Sequence, residues 1–354
     1  MTFCPFHQIR ANDLSIHVHV GYFGRFRHPL PGSTCPMTSL LLVTPLGRLT
    51  LAVHGLLLFL LLVATACAGV GPRSLFWGST QVRAAATPAN GCNGSVNLCR
   101  RRYDQVAYAT THNAMSSADD GWWLANQRRS IARQLADGVR GLMLDTHYDG
   151  SDHTVWLCHK LCWLGSERLD KELTVIARFL DEHPHEVITL IFESKVSAAD
   201  TGKAFADSGV LRHVYEHPVG QPWPTLGEMV AAGQRLVVFT DHGGGTFPWY
   251  MAQWQHCLEN PWAAWTERSF DCSVNRGKVG NALSVLNHFV SDPLPDRRVA
   301  AMVNRGRELM QHARRCEREW NHVVNFVTVD HYDEGDLFDV VARLNADQAV
   351  AAVP

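Results

Sequence analysis

From residue 105 onward, short runs of β-prone apolar residues alternate with stretches of helical spacing, and this alternation limits the fold more than any other feature of the chain. Strands are predicted at 105–109, 141–145, 154–157, 187–192, 236–240, 283–288 and 326–329. Helical periodicity covers 124–137, 167–183, 199–215, 296–320 and 336–345. The 188–192 run (Ile-Thr-Leu-Ile-Phe) is apolar at nearly every position, as a strand covered on both faces should be. Repeated strand–helix units build a parallel sheet, open or closed into a barrel. Polar and titratable residues close strand after strand: His112 with Asn113, Asp145 with His147, His159, Glu193 with Lys195, Asp241 with His242, and Asp330 to Tyr332. A succession of such ends fits a ring of strands, whose functional groups gather at the carboxyl ends. An open doubly wound sheet uses a single switch point and a glycine-rich loop, and neither G-x-G-x-x-G nor a P-loop follows a strand here. The expected fold class is therefore α/β, a single TIM barrel.

Charge removes one class of function. Lys and Arg number 32 against 34 Asp and Glu, a net charge of −2, so no positive field exists to neutralise phosphates along a nucleic acid. The N-terminal region differs from the rest. Residues 1–36 show no period; Arg48 then precedes an apolar run, 49–63, that closes on Ala64-Thr65-Ala66-Cys67-Ala68-Gly69. A basic residue, an apolar stretch and an A-x-A pattern make a secretory signal, with translation expected to start at Met37. A retained anchor and a lipoprotein site at Cys67 are the competing readings; each places the rest of the chain outside the cytosol, secreted or at the cell surface. The chain thus divides into an extension and signal or anchor (1–69), a linker (70–91), a barrel (92–347) and a tail (348–354). Cysteines at 92, 99, 158, 162, 257, 272 and 316 fit an oxidising compartment. Sequence neighbours suggest pairs 92–99, 158–162 and 257–272, leaving Cys316 over, although spacing alone fixes no connectivity. The C-x2-C spacing of a structural zinc site is absent.

Two histidines at strand ends, His112 and His159, can act as general base and general acid near neutral pH. Their surroundings carry a resemblance. Thr111-His112-Asn113-Ala114, Gly138-Val139-Arg140-Gly141-Leu142-Met143-Leu144-Asp145 and Val155-Trp156-Leu157-Cys158-His159 follow one another as in phosphatidylinositol-specific phospholipase C X-domain proteins. The match continues through His183-Pro184-His185-Glu186-Val187-Ile188 to Val327-Thr328-Val329-Asp330, over roughly residues 92–346. It is most similar to the secreted, X-domain-only phosphodiesterase-like branch.

The resemblance implies an irregular TIM barrel of the phospholipase C-like phosphodiesterase type, cleaving a phospholipid or inositol-type phosphodiester through a cyclic phosphate. By position, His112 activates the attacking hydroxyl and His159 protonates the leaving alcohol. Calcium-using members place metal ligands where Asn113, Asp145 and Glu193 stand, so Ca2+ is the implied cofactor; Met143 replaces one acid of that set. Lys195, Asp330 and Tyr332 are substrate-binding candidates, with Asp330 to Tyr332 also placed to orient His112. Arg140, at a strand start, is expected to be structural. Trp122 and Trp123 are candidates for peripheral membrane contact. The rival reading is a weak or inactive barrel that binds lipid headgroups at the cell surface, favoured by Met143 and opposed by the intact histidine pair.

Overall fold

The computed structural model describes residues 91–351, apart from 151, 160, 265 and 291–293. The expected extension, signal and nearly all of the linker lie outside the described residues, as does the end of the tail. Among the described residues no helix is long and apolar enough to cross a membrane.

In chain order the elements are β1 (Tyr108–Thr111), α1 (Ile131–Asp137), β2 (Gly141–Tyr148), β3 (Val155–Leu157), β4 (Glu167–Arg168), α2 (Leu169–Glu182), β5 (Ile188–Ser194), α3 (Ala198–Ser208), α4 (Leu226–Ala232), β6 (Leu236–Thr240), β7 (Tyr250–Ala252), α5 (Gln253–His256), β8 (Cys257–Glu259), β9 (Leu283–Asn287), α6 (Arg297–Val303), α7 (Gly306–Trp320), β10 (Phe326–Val329) and α8 (Leu337–Ala351). Eight strands form one parallel sheet in the order β7-β6-β5-β2-β1-β10-β9-β8.

Strand side chains alternate between faces, and the register makes that alternation continuous round the sheet. Tyr108 faces Phe326, which faces Val285; Thr110 faces Gly141; Met143 faces Ile191, and Ile191 faces Phe239. Tyr108, Phe326, Val285, Ile191 and Phe239 belong to one apolar cluster, the inner one. The intervening Leu142, Leu144, Leu190, Phe192 and Val238 belong to a second, which Ile176 and Leu180 of α2 and Leu309 and Ala313 of α7 cover. Gly141 stands where a Cβ would lie 2.3 Å from Thr110 Oγ1, so glycine alone fits beside β1 at that level.

The edge strands β7 and β8 are consecutive in the chain, joined by the single turn α5, and no ladder links them among the described residues. The expected barrel is thus realised as a curled parallel sheet whose hydrogen bonding stays open on one side. β3 also departs from expectation. It runs antiparallel to β2, pairing Trp156 with His147 and Leu157 with Thr146, and β4 returns antiparallel to β3. Being a back-fold over the end of β2, it is no member of the parallel ring.

Other boundaries shift for local reasons. The expected helix 296–320 splits into α6 and α7 at Arg305, whose backbone turns extended (φ −59, ψ 142), while the neighbouring Asn304 amide donates to the Asp330 carbonyl at 2.9 Å. The helical stretch 199–215 stops at Gly209, a left-handed cap. The predicted 257–272 cysteine pair does not form. Cys272 bonds Cys316, Cys92 bonds Cys99 and Cys158 bonds Cys162, while Cys257 is a buried free thiol. Alternation explains it: Cys257 opens β8 and packs in the inner cluster, whereas Cys316 belongs to the outer one with Cys272. Arg140 is structural, as expected; its Nε lies 2.6 Å from the buried Glu186 carboxylate, at the amino end of the strands.

His256 packs near Trp223 and Phe239 within the inner wall. Burial, with the charge of His217 adding to it, pushes its pKa from 6.5 down to about 4. The folded protein therefore holds this ring neutral where the unfolded chain protonates it, so its contribution to stability is complete above pH 6.5 and is lost as pH falls towards 4. Replacing His256 with Phe should remove about 2 kcal/mol of that acid sensitivity by pH 4.5, seen as roughly 4–8 °C less loss of Tm than in the unsubstituted protein. Parallel melting curves at pH 7 and 4.5 measure it; equal losses refute it.

Candidate active site

The alternation that fills the inner wall continues past the ends of the strands. Counting by twos along β1 leads from Tyr108 to His112, along β2 from Met143 to Asp145, along β5 from Ile191 to Glu193, along β6 from Phe239 to Asp241, along β9 from Val285 to Asn287, and along β10 from Phe326 to Asp330. All but Asp330 line one cavity of about 530 Å³, which also takes in His159, Lys195, Asn126 and Arg276. Strands from nearly the whole width of the sheet therefore converge on it, as the curl requires. A groove of about 690 Å³ between Arg305 and Arg343 lies on the helical surface and collects no strand ends.

Two histidine–carboxylate pairs dominate the cavity. His112 Nδ1 lies 2.9 Å from Oδ1 of the buried Asp330, and His159 Nδ1 lies 2.8 Å from Oδ2 of Asp145. A carboxylate accepts, so each pair holds a proton on Nδ1 and leaves the opposite ring nitrogen as the reactive edge. The back-fold of β3 makes the second pair: Cys158 N donates to the Asp145 carbonyl at 3.2 Å, and the next residue, His159, reaches the carboxylate. Phe289 stacks flat on the His112 ring, with centroids 3.8 Å apart and planes 5° from parallel.

The remaining predicted residues divide. Asn113, at φ 45, ends β1 in the left-handed region that Asn tolerates. Its amide contacts Asn126 and His159. Glu193 pairs with Lys195 at 3.0 Å. Burial alone would raise the Glu193 pKa, but the Lys195 hydrogen bond and charge, helped by Arg276, carry it below the usual carboxylate range. That same bond holds Lys195 above the ordinary lysine value. Asp330 serves His112. Tyr332 does not bind in the cavity: it is buried in the outer cluster and its hydroxyl donates to Asp137 at 2.8 Å. Two residues past Asp330 the strand has ended, with His331 at φ 45, and alternation no longer aims the side chain inward.

Sequence reasoning missed Asn126, Arg276 and Phe289. Arg276 pairs with the buried Glu259 of β8 and lies over the Trp254 ring. Arg276 and Phe289 fall outside every predicted strand and helix, and Asn126 falls in the expected helix 124–137, whose first turns are loop up to Ile131. As cation ligands, Asn113, Asp145 and Glu193 offer two carboxylates and an amide oxygen. Both carboxylates already serve a neighbour, so the set suits a hard cation completed by water and substrate oxygens better than a closed protein cage. Among the described residues, the one group of three His, Cys, Asp or Glu side chains close enough to share a metal is Cys272, His312 and Cys316, and its sulfurs form a disulfide.

The mouth is apolar. Trp123, 74% exposed, lines it with the exposed Leu124, Trp262 and Leu294; Leu161 and Trp163, also exposed, lie in the loop that follows His159. Trp122, by contrast, is buried, its ring seated on Gly165 where any Cβ would collide.

Comparisons with known proteins point to one family. The family model described as PI-PLC X matches residues 98–345. An uncharacterized secreted protein of Arthroderma benhamiae is 27% identical over 73% of this chain, which spans 65% of that relative's length. A PI-PLC X domain-containing protein of the same fungus is 29% identical over 72% of this chain and 89% of its own, and one of Arabidopsis thaliana is 28% identical over 69% and 62%. Among solved structures, the phosphatidylinositol-specific phospholipase C of Listeria monocytogenes aligns at 12% identity over 70% of this chain and 95% of its own, with a TM-score of 0.46.

Since Lys195 is what holds Glu193 low, Lys195→Met should move the Glu193 carboxyl upward, because burial then acts unopposed by its nearest cation. A titration of the Glu193 side-chain carbon by NMR reads this; an unchanged or lower midpoint would contradict the assignment.

Proposed function

Because this chain belongs to the PI-PLC X family, we propose that it is a secreted phosphodiesterase that cleaves a phospholipid or inositol-type phosphodiester by acid–base catalysis, through a cyclic phosphate. The observation that carries the reading is the pair of histidine–carboxylate dyads opening into one cavity.

The chemistry follows from the two rings. With Asp330 holding its Nδ1 proton, His112 takes the proton of a substrate hydroxyl adjacent to the phosphate through its other nitrogen. The hydroxyl oxygen bonds to phosphorus, and the bond from phosphorus to the leaving alcohol breaks. His159 gives that alcohol its proton, with Asp145 stabilising the charged ring. No side chain of the protein becomes covalently attached, so catalysis rests on positioning and charge. Lys195 and Arg276 supply positive charge to the phosphate. Calcium would be held by Asn113, Asp145 and Glu193, where it would offset charge on the phosphate oxygens; with so few protein donors its affinity falls in the weak, roughly millimolar, range. Secretion is supported by three disulfides and by a relative named as a secreted protein.

The apolar rim supports a lipid surface as the place of work. Trp123 and Leu124 follow β1, Leu161 and Trp163 follow β3, Trp262 follows β8 and Leu294 follows β9, so exposed apolar groups stand round the opening to the catalytic pair. Side chains of this kind enter the headgroup region while the cavity stays above the substrate's phosphate.

His112→Ala and His159→Ala should each lower turnover of an inositol phosphodiester by about 10²- to 10⁴-fold with the fold intact, and added Ca2+ should stimulate the unsubstituted enzyme above a chelator-resistant remainder. Phosphorus NMR, which sees the cyclic phosphate directly, is the readout; full activity in both variants sinks the catalytic reading, and loss of activity with headgroup binding kept fits it. The triple variant of Trp123, Trp163 and Trp262 to Ala should lose roughly 10-fold or more in cosedimentation with phosphatidylinositol-containing vesicles while keeping its rate on a soluble diester. Equal vesicle binding would remove the rim from the proposal.

A further inference from the structure

We propose that Glu259 is a positioning residue that keeps the Arg276 guanidinium turned as a fork towards the substrate's phosphate and away from Glu193. The inference rests on the reading of the cavity as a phosphodiesterase site. Glu259 closes β8 two positions after Cys257 of the inner cluster, and it is wholly buried. Donors claim both of its oxygens. Oε1 accepts from Arg276 Nε–H and, at 2.9 Å, from the Asn275 amide, while Oε2 accepts from the Asn287 amide at 3.3 Å. The backbones are joined as well: Glu259 N–H donates to the Arg276 carbonyl at 3.0 Å, and Asn275 N–H donates to the Glu259 carbonyl at 2.9 Å. The carboxylate and the loop that carries the arginine are thus fixed to one another at several points.

These contacts decide which part of Arg276 is left for a ligand. Its Nε edge belongs to Glu259, and its Cζ stands over the Trp254 ring, 4.3 Å from the centroid. Turning the guanidinium would strand a buried carboxylate without its cation. The two Nη groups make no hydrogen bond among the described residues, and Arg276 lines the cavity. A planar pair of N–H groups matches two oxygens of one phosphate, which the point charge of Lys195 does not.

The fork needs holding because a rival acceptor is near. The Arg276 charge helps to keep the Glu193 carboxyl low, so the two groups feel one another across the cavity. A carboxylate fills a guanidinium fork as readily as a phosphate does. The cations are shared out instead: Lys195 takes Glu193 at 3.0 Å, and Arg276 takes Glu259, whose burial strengthens the pair. Without Glu259, the arginine turns to Glu193 and the substrate meets a fork already filled.

A double-mutant cycle on a soluble inositol phosphodiester tests this. In Glu259→Gln, kcat should fall by about 10- to 100-fold with KM within about threefold, because the fork matters most as charge builds on the phosphate oxygens. Arg276→Lys should lose about 100-fold. The double variant should match Arg276→Lys within about twofold, since Glu259 acts only through the arginine. An unchanged kcat in Glu259→Gln, or losses that multiply in the double variant as a packing defect would make them, overturns the inference. Arginine ¹⁵N NMR of the unsubstituted protein tests it without any variant. Arg276 Nε–H should stay protected from exchange with and without inorganic phosphate, while the Nη signals shift as phosphate is added. A freely exchanging Nε–H, or Nη signals indifferent to phosphate, also overturns it. Activity surviving in His112→Ala and His159→Ala overturns the catalytic reading instead, and the spectra then stand by themselves.

Discussion

Side-chain alternation in a parallel sheet is the constraint on which the rest of this molecule depends. Strands that reach the cavity contribute an apolar residue to the inner wall and, two or four positions later, a polar one to the cavity: Tyr108 then His112, Val285 then Asn287, Ile191 then Glu193. Slipping any strand by one residue would exchange its whole inner and outer sets. It would place a carboxylate among Leu190, Phe192 and Val238, where nothing pairs it. Burial of the two apolar clusters and placement of the site are consequently one selection. A change that disturbs register cannot weaken one and spare the other.

The two ends of the sheet divide the labour. At the amino end charges are buried and satisfied: Arg140 against Glu186, and Arg235 donating to the carbonyls of Leu180, His183 and Glu186. Breaking such a pair leaves a lone buried charge and costs several kcal/mol, so these residues serve cohesion. At the carboxyl end, charged groups face a cavity open to solvent, where their partners can exchange for a substrate. Asp145 and Glu193 each keep a nearby nitrogen, His159 and Lys195, so the carboxylates of the cavity are paired from within rather than left as a cluster of like charges.

Much of this was legible in the sequence because alternation and motif spacing are local properties. His112, Asp145 and Glu193 can be aimed by counting from neighbouring apolar residues, and 236–240 and 326–329 coincide with β6 and β10. Where the reasoning failed, the deciding contact was distant. Tyr332 lies two residues past Asp330, but the backbone turns at His331 and sends it to Asp137. Cys272 finds Cys316 across 44 residues because both reach the outer cluster. β7 and β8, at three residues each, are too short for a period to emerge, yet they form the edges of the sheet. Asn126 lay within an expected helix, 124–137, that begins only at Ile131; the preceding segment is spent instead on hydrogen bonds to β1 and β10.

That exchange of helix for loop carries the final point. A helix through 126 would satisfy its own backbone and present side chains at fixed angles, and its donors would be unavailable to the strand ends. As a loop, the segment sends Gln127 to two strand carbonyls, Asn126 to Asp330 and Asn113, and Trp123 outward to the rim, while Trp123 N–H bonds the Leu164 carbonyl beyond the His159 loop. One short stretch thus reaches Asp330 and the end of β1 on one side and the apolar rim on the other.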